Sequence, residues 1–125
     1  MIHGIGIDVI QPQRVERLLA KYGERFVRRV LTPGERDAYA RSVRPVLFLA
    51  NRFAAKEAFS KAMGTGFRYP VTLQCISVTQ NPAGKPGLDF NAALKRVVAA
   101  RGITAHHLTI SDEQNIACAC VILES

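Results

Sequence analysis

Three residues of this 125-residue sequence have side chains and spacing suited to phosphate chemistry. Asp8 ends the alternating segment "GIGID", and Glu57 and Lys61 lie four residues apart in "RFAAKEAFSKAMGTG". If Asp8 and Glu57 are adjacent in the fold, their carboxylates offer the hard oxygen ligands that Mg²⁺ prefers. Lys61 follows Glu57 along one helical stripe and could hold a phosphate as a point charge. The three residues together indicate a magnesium and phosphate site.

The same residues could instead have purely structural roles. A Glu–Lys pair four residues apart is usually a solvated salt bridge on a helix, and Asp8 could be a turn residue at the end of a strand. Glu57, however, falls on an apolar stripe beside Phe53, where an unpaired carboxylate is costly. Ser60 has no visible base partner, so we do not interpret it as a nucleophile.

The elements that position these residues follow from the hydrophobic pattern. "MIHGIGIDVI" alternates as a strand with Gly4, Gly6 and Asp8 on one face, and the bare glycine face allows another element or a ligand to approach closely. Residues 12–30 have apolar residues at helical spacing and predict one helix. "TPGE" is typical of a capping box, in which Thr32 and Glu35 begin a helix that runs to about residue 42. Residues 45–63 predict a third helix, which begins at a proline and is ended by Gly64.

The second half of the chain predicts strands at 71–80 and 88–90 and a helix from Asn91 to Arg101. Two further strands, in "HHLTIS" and "IACACVILE", complete the pattern. The predicted order is β-α-α-α-β-β-α-β-β, which is an α+β domain rather than an alternating parallel fold. The length predicts one domain over residues 1–125.

The net charge of +7 is unevenly distributed. Residues 1–68 hold 13 Lys and Arg against 6 Asp and Glu, whereas residues 69–125 hold 4 of each kind. The excess in the first half indicates an acidic partner, which could be a nucleic acid, an acidic protein or a phosphorylated ligand.

The cellular setting is predicted from features that the sequence lacks. It contains no apolar run long enough to span a membrane and no signal-peptide pattern. Three cysteines without an export signal predict reduced thiols in the cytoplasm. Cys75, Cys118 and Cys120 are interpreted as core residues, since C-x-C alone is not a metal-ligand set.

Several segments resemble the holo-[acyl-carrier-protein] synthases, the short bacterial branch of the 4′-phosphopantetheinyl transferases. These are "GIGIDVI", "FLANRFAAKEAFSKAMGTG", "GKP" and "HLTISDEQNIACACVILE", in the right order over nearly the whole chain. The resemblance implies a Mg²⁺-dependent transfer of phosphopantetheine from coenzyme A to a serine of apo acyl carrier protein, in support of fatty acid biosynthesis. It also implies a homotrimer with active sites between subunits, and no membrane or nucleic-acid partner.

The resemblance further assigns residues to roles. Asp8 and Glu57 match the metal ligands, Lys61 matches the phosphate-contacting lysine, and Glu57 is the candidate base, directly or through a metal-bound water. The implied contacts of coenzyme A are Arg52, Ser60, Lys61, Gly64, Lys85, Pro86, His107 and Thr109. The implied contacts of the acidic carrier are Arg14, Lys21, Arg25 and Arg28.

One position departs from the family pattern, and the sequence gives little support to two other classes of function. Many relatives have a histidine where this chain has Asp112, so no role for that histidine is transferred. A small basic RNA-binding module is the alternative function, but the sequence has no tryptophan and no basic–aromatic run for stacking bases. A non-catalytic regulator would be expected to lack Asp8 or Glu57, and both are present.

Overall fold

The computed structural model describes all residues 1–125 and has the predicted α+β architecture. The elements are β1 (Ile2–Ile10), α1 (Pro12–Tyr22), α2 (Glu24–Val30), α3 (Pro33–Ala40), α4 (Pro45–Met63), a 3-10 turn (Leu73–Cys75), β2 (Ile76–Gln80), β3 (Pro86–Phe90), α5 (Ala92–Ala100), β4 (Ala105–Glu113) and β5 (Ile116–Glu124). None of the five helices combines the length and hydrophobicity that crossing a membrane requires.

The structure corrects the predicted bounds of several elements, and three of these corrections bear on the site or on the core. Residues 12–30 form two helices instead of one, because Gly23 adopts a positive φ of 57° and separates α1 from α2. The strand predicted from residue 71 begins at Ile76, since the preceding residues form the 3-10 turn that contains Cys75. The helix predicted to reach residue 42 ends at Ala40.

Other local predictions are confirmed. The Thr32–Glu35 capping box is present, and a Glu35 carboxylate oxygen accepts the Thr32 backbone N–H at 2.9 Å. The Asn91 side chain accepts the backbone N–H of Leu94 at 3.0 Å and caps α5. Gly64 ends α4 in the left-handed conformation, with φ of 76°. These signals are local, so the sequence alone is enough to place them.

The strands form two antiparallel sheets. One has the order β1-β5-β4, and the other is the β2-β3 hairpin. In the three-stranded sheet, Asp8 is opposite Ala119 and Ile7 is opposite Cys120. Because neighbouring residues of a strand face opposite sides, Asp8 faces α4, whereas Ile7 faces outward with Ile5 and is exposed.

Helix α4 lies directly on the glycine face of β1. A Cβ added to Gly4 would lie 2.0 Å from the carbonyl oxygen of Ala62, and one added to Gly6 would lie 1.9 Å from that of Ala58. Both distances are far below any real contact, so only glycine fits at these positions. The predicted close approach is therefore made by the helix that carries Glu57 and Lys61.

A buried ion pair joins α4 to the first half of the chain. The fully buried Lys56 ammonium donates to a Glu35 carboxylate oxygen at 2.6 Å and to the backbone carbonyls of Val30 and Leu73 at 2.6 and 2.9 Å. The other Glu35 oxygen accepts the Val78 N–H at 2.9 Å. Burial lowers the pKa of Lys56, and the charge and hydrogen bond of Glu35 oppose this shift. One carboxylate and one ammonium thus connect α2, α3, α4, the 3-10 turn and β2.

We expect Gly6→Ala to destabilise the protein by roughly 3 kcal/mol or more, because the methyl group collides with a helix backbone that cannot rotate away. Gly34→Ala is the matched control, since Gly34 is exposed at the start of α3 and has no atom within 4 Å of an added Cβ. Its free energy of unfolding should stay within about 1 kcal/mol of the wild type. Urea denaturation of both variants measures the difference, and equal stability would contradict the close contact.

Candidate active site

Asp8 and Lys61 meet at the end of β1. The Lys61 ammonium donates to an Asp8 carboxylate oxygen at 3.1 Å and to the Ile7 backbone carbonyl at 3.0 Å. The Asp8 side chain is 15% exposed, whereas that of Lys61 is 52% exposed. The structure therefore brings the strand-end carboxylate and the helix lysine together.

Glu57 shares this environment on the half-buried side of α4. Burial raises the pKa of its carboxyl, and the negative charge of Asp8 raises the pKa further. The positive charges of Lys61 and Arg14 oppose the shift. Two carboxylates and two cations therefore interact across the junction of β1, α1 and α4.

This donor set fits a hard divalent cation. The negative charge of Asp8 raises the pKa of Glu57, and a divalent cation held by the two carboxylates would offset that repulsion. No group of three or more His, Cys, Asp or Glu side chains lies together anywhere in the chain. Magnesium suits such a site, because it binds one or two carboxylates and completes its shell with water and substrate oxygens.

The i,i+4 pairing of Lys61 with Glu57, which was one of the two open interpretations, does not form. Lys61 pairs with Asp8 instead, and its half-exposed ammonium is not held on an apolar stripe. The charged residue that α4 does bury completely is Lys56. Sequence spacing could not identify it, because its partner Glu35 lies on another helix.

Two of the residues matched to coenzyme A contacts have buried side chains. The Ser60 hydroxyl donates to the Glu57 backbone carbonyl at 2.7 Å. The Arg52 guanidinium lies 3.9 Å from the centre of the Phe48 ring, and burial lowers its pKa. The Ser60 hydroxyl is thus bonded within the chain, whereas the buried Nε of Arg52 has no hydrogen-bond partner.

The other matched residues lie at three separate places. Gly64 follows α4, and Lys85 and Pro86 lie where the hairpin enters β3. His107 and Thr109 are exposed on the outer face of β4, where His107 Nε2 bonds the Glu124 carboxylate. Thr109 is opposite Cys120, as Ile7 is, so it faces away from Asp8. Within one chain, the strand residues His107 and Thr109 do not join the carboxylate pair.

The four residues matched to carrier contacts are all exposed, with Arg14 and Lys21 on α1 and Arg25 and Arg28 on α2. Between these helices and α4 lies a groove lined by Leu18, Tyr22, Arg25, Phe26, Arg29 and Phe53. The sequence analysis identified the basic residues of these helices, but it did not identify the apolar side chains that line the groove between them and α4. The signal was present in the helical spacing of Leu18, Tyr22 and Phe26, which leaves an apolar stripe beside the basic residues.

Asp112, which departs from the family pattern, contacts α4. Its carboxylate accepts a hydrogen bond from the Asn51 side-chain nitrogen at 3.1 Å. Asp112 is opposite Ala117 and lies on the same sheet face as Asp8. It therefore ties the end of β4 to the first half of α4.

Comparison with known proteins agrees with this fold and this arrangement of residues. A family model described as the 4′-phosphopantetheinyl transferase superfamily matches residues 4–121. The chain belongs to the 4′-phosphopantetheinyl transferase superfamily.

Within that superfamily the similar proteins are holo-[acyl-carrier-protein] synthases, which confirms the resemblance found in the sequence. The chain is 57% identical over 124 residues to the one from Nitrosospira multiformis, with 99% of each chain covered. The crystal structure of the one from Neisseria meningitidis matches with a TM-score of 0.98 at 41% identity, covering 100% of both chains. The one from Bacillus anthracis in complex with CoA (3′,5′-ADP) matches with a TM-score of 0.83 at 40% identity, covering 100% of this chain and 98% of that chain. The RNA-binding alternative is not supported.

We expect Lys61→Met to retain the stability of the wild type and to lose activity. The ion pair with Asp8 is half-exposed, and such pairs contribute about 0–1 kcal/mol. If Lys61 neutralises charge on a leaving phosphate, its loss should lower kcat by about 10²–10³, by analogy with oxyanion donors. Thermal unfolding and steady-state kinetics on one preparation measure both effects.

Lys95→Met is the matched control for this prediction. Its ammonium pairs with Asp89 at 3.9 Å, on α5 and β3, and both of these side chains are exposed. The control should keep both the melting temperature and kcat of the wild type. A stable Lys61→Met protein with wild-type kcat would contradict the assignment of Lys61.

Proposed function

We propose that this protein transfers the 4′-phosphopantetheine group from coenzyme A to a serine of apo acyl carrier protein, giving holo acyl carrier protein and 3′,5′-ADP. The observation that carries the proposal is the meeting of Asp8, Glu57 and Lys61 at one site in a member of the 4′-phosphopantetheinyl transferase superfamily. Holo-[acyl-carrier-protein] synthases with bound coenzyme A or 3′,5′-ADP share its fold. We further propose that residues 1–125 act as one domain, in the cytoplasm and in fatty acid biosynthesis, where the three free cysteines stay reduced.

The proposed cofactor is Mg²⁺, held by Asp8 and Glu57. When bound, it supplies positive charge to the diphosphate of coenzyme A. Support for this assignment comes from the two carboxylates, whose mutual repulsion a divalent cation would relieve. Magnesium dependence is therefore part of the proposal.

Each side chain of the site has a proposed task. Glu57, whose carboxyl pKa is raised by burial and by Asp8, accepts the proton from the attacking serine hydroxyl. Lys61 can leave its half-exposed pair with Asp8 to contact a phosphate oxygen of the substrate, because exposed pairs are weak. The serine oxygen attacks the β-phosphate as 3′,5′-ADP leaves, and Lys61 neutralises charge on the phosphates.

The remaining contacts of coenzyme A are proposed on both sides of a subunit boundary. The proposed positions are Arg52, Ser60, Gly64, Lys85, Pro86, His107 and Thr109. Ser60 contributes through its place in the last turn of α4, since its hydroxyl is already bonded. His107 and Thr109 face away from Asp8 in their own chain, so we propose that they complete the site of a neighbouring subunit.

In a homotrimer, a neighbouring subunit would lie against the sheet face that carries His107 and Thr109. The outer face of β1 exposes Ile2, Ile5, Ile7 and Val9, each more than half exposed. A row of exposed aliphatic side chains on one sheet face is typical of a protein interface. We propose that a neighbouring subunit covers this face and brings its own site residues beside it.

The carrier is proposed to bind the basic groove of α1 and α2. Arg14, Lys21, Arg25 and Arg28 supply the positive charge, and the apolar groove between α1, α2 and α4 supplies a contact for a carrier helix. Phe53, which lines the groove, lies one helical turn before Glu57 on α4, so the groove lies beside the site. A carrier bound there would present its serine close to Glu57.

The direct test of the function is to incubate the protein with coenzyme A, Mg²⁺ and apo acyl carrier protein and to weigh the carrier. We expect a gain equal to one phosphopantetheine group, and no gain when coenzyme A is omitted. The Asp8→Ala variant, which keeps the apolar face of the strand, should give no product. A carrier of unchanged mass with the wild-type protein would refute the proposed function.

Reversing two basic residues, Lys21→Glu and Arg28→Glu, should raise KM for the carrier about tenfold or more, because charges that attract the carrier become repulsive. The KM for coenzyme A should remain at the wild-type value. Lys95→Glu with Arg96→Glu is the control, since it makes the same change in net charge on exposed residues of α5. If both double variants change both KM values equally, the effect comes from net charge and the groove is not the carrier site.

A further inference from the structure

Two side chains from other parts of the fold satisfy the carboxyl end of α2. The last carbonyls of any helix have no partner within it. The Lys56 ammonium donates to Val30 at 2.6 Å. The Gln74 side-chain nitrogen lies 2.7, 3.1 and 2.9 Å from the carbonyl oxygens of Arg28, Arg29 and Leu31. The carbonyls of residues 28–31 therefore all lie within hydrogen-bond distance of a donor from outside the helix, and the two N–H groups of Gln74 are shared among three of them.

Helix α2 depends on such contacts for its direction. It has only seven residues, which is too short for a stable isolated helix. The break at Gly23 separates it from α1, so it does not continue the line of that helix. Two valines, Val27 and Val30, anchor its inner side in the core, and the donors from Gln74 and Lys56 fix its end.

The direction of α2 determines where part of the basic groove points. Arg25 and Arg28 are carried by α2, and Arg29 lines the groove beside Arg25. Arg14 and Lys21 are carried by α1, which the two donors do not touch. A rotation of α2 would therefore displace two of the four carrier contacts and leave the other two in place.

We propose that Gln74 is a positioning residue for the acyl carrier protein. By capping α2 together with Lys56, it sets the direction of Arg25 and Arg28 relative to α4, which carries Glu57. This inference rests on the proposed function, since it assumes that the carrier binds α2. Gln74 itself makes no contact with Asp8, Glu57 or Lys61 and takes no part in the transfer.

Gln74 is also the better of the two donors to replace. Removing Lys56 would leave the buried Glu35 carboxylate without its cation, and the variant could fail to fold for that reason alone. Gln74 is exposed and lies in a short turn, so its replacement leaves the core intact. Gln74→Met removes the amide donor and leaves a side chain of similar size. Gln74→Glu removes the donor and leaves a side chain of the same shape.

Both variants should raise KM for the carrier about three- to tenfold, the range expected when one side-chain hydrogen-bond donor is lost. The kcat and the KM for coenzyme A should stay at wild-type values. Hydrogen–deuterium exchange should become faster in residues 24–30 and remain unchanged in residues 12–22. The control is Gln80→Met, which replaces an exposed glutamine without contact to α2 and should match the wild type in all four measurements.

Double variants test whether Gln74 acts through α2. The loss caused by Arg28→Ala should be smaller in the Gln74→Met background, because the arginine is already displaced. The loss caused by Lys21→Ala, on α1, should be the same in both backgrounds. The inference would be overturned if the effects of Gln74→Met and Arg28→Ala on the carrier KM were additive. It would also be overturned if Gln74→Met alone kept the wild-type carrier KM. Failure of the proposed function would be seen separately, as a wild-type protein that does not modify the carrier.

Discussion

The contact between the glycine face of β1 and the backbone of α4 is the constraint on which the site depends. Gly4 and Gly6 allow the helix to lie so close that an added Cβ would be about 2 Å from its carbonyl oxygens. Asp8 is the next residue on the same strand face, so this contact determines how far its carboxylate is from α4. Glu57 and Lys61 lie on the part of α4 beside it, and their charges act on one another for that reason. The two glycines therefore position the charged residues of the site, although they are not proposed to contact a substrate.

The buried pair of Lys56 and Glu35 is the second constraint, and it acts from the opposite side of α4. It joins the end of α2, the start of α3, the 3-10 turn and β2 to the helix that carries Glu57. Buried ion pairs are costly to desolvate, so their presence is weak support for stability and better explained by the geometry that they specify. Here that geometry is the placement of the basic helices beside the carboxylates.

The sequence was sufficient for features with local signals and insufficient for features that depend on distant partners. The bounds of α4 were predictable because a proline begins it and a left-handed glycine ends it. The split of the first helix was not, because a glycine inside a helical pattern can be tolerated or can break it. The contact of Lys61 with Asp8 was not predictable from spacing, since it spans 53 residues and helical spacing indicates only neighbours. Lys56 was missed for the same reason, whereas a close approach of some element or ligand to the strand that carries Asp8 was predicted from its bare glycine face.

The central claim is that this packing brings Asp8 and Glu57 together as one binding site for a divalent cation. Crystals soaked in Mn²⁺, which prefers the same oxygen ligands as Mg²⁺ and scatters anomalously, test that claim most directly. We expect one anomalous peak bonded to both carboxylates, and no peak there in crystals of Asp8→Ala. A peak bonded to only one of the two carboxylates, or a peak elsewhere with none at this site, would contradict it.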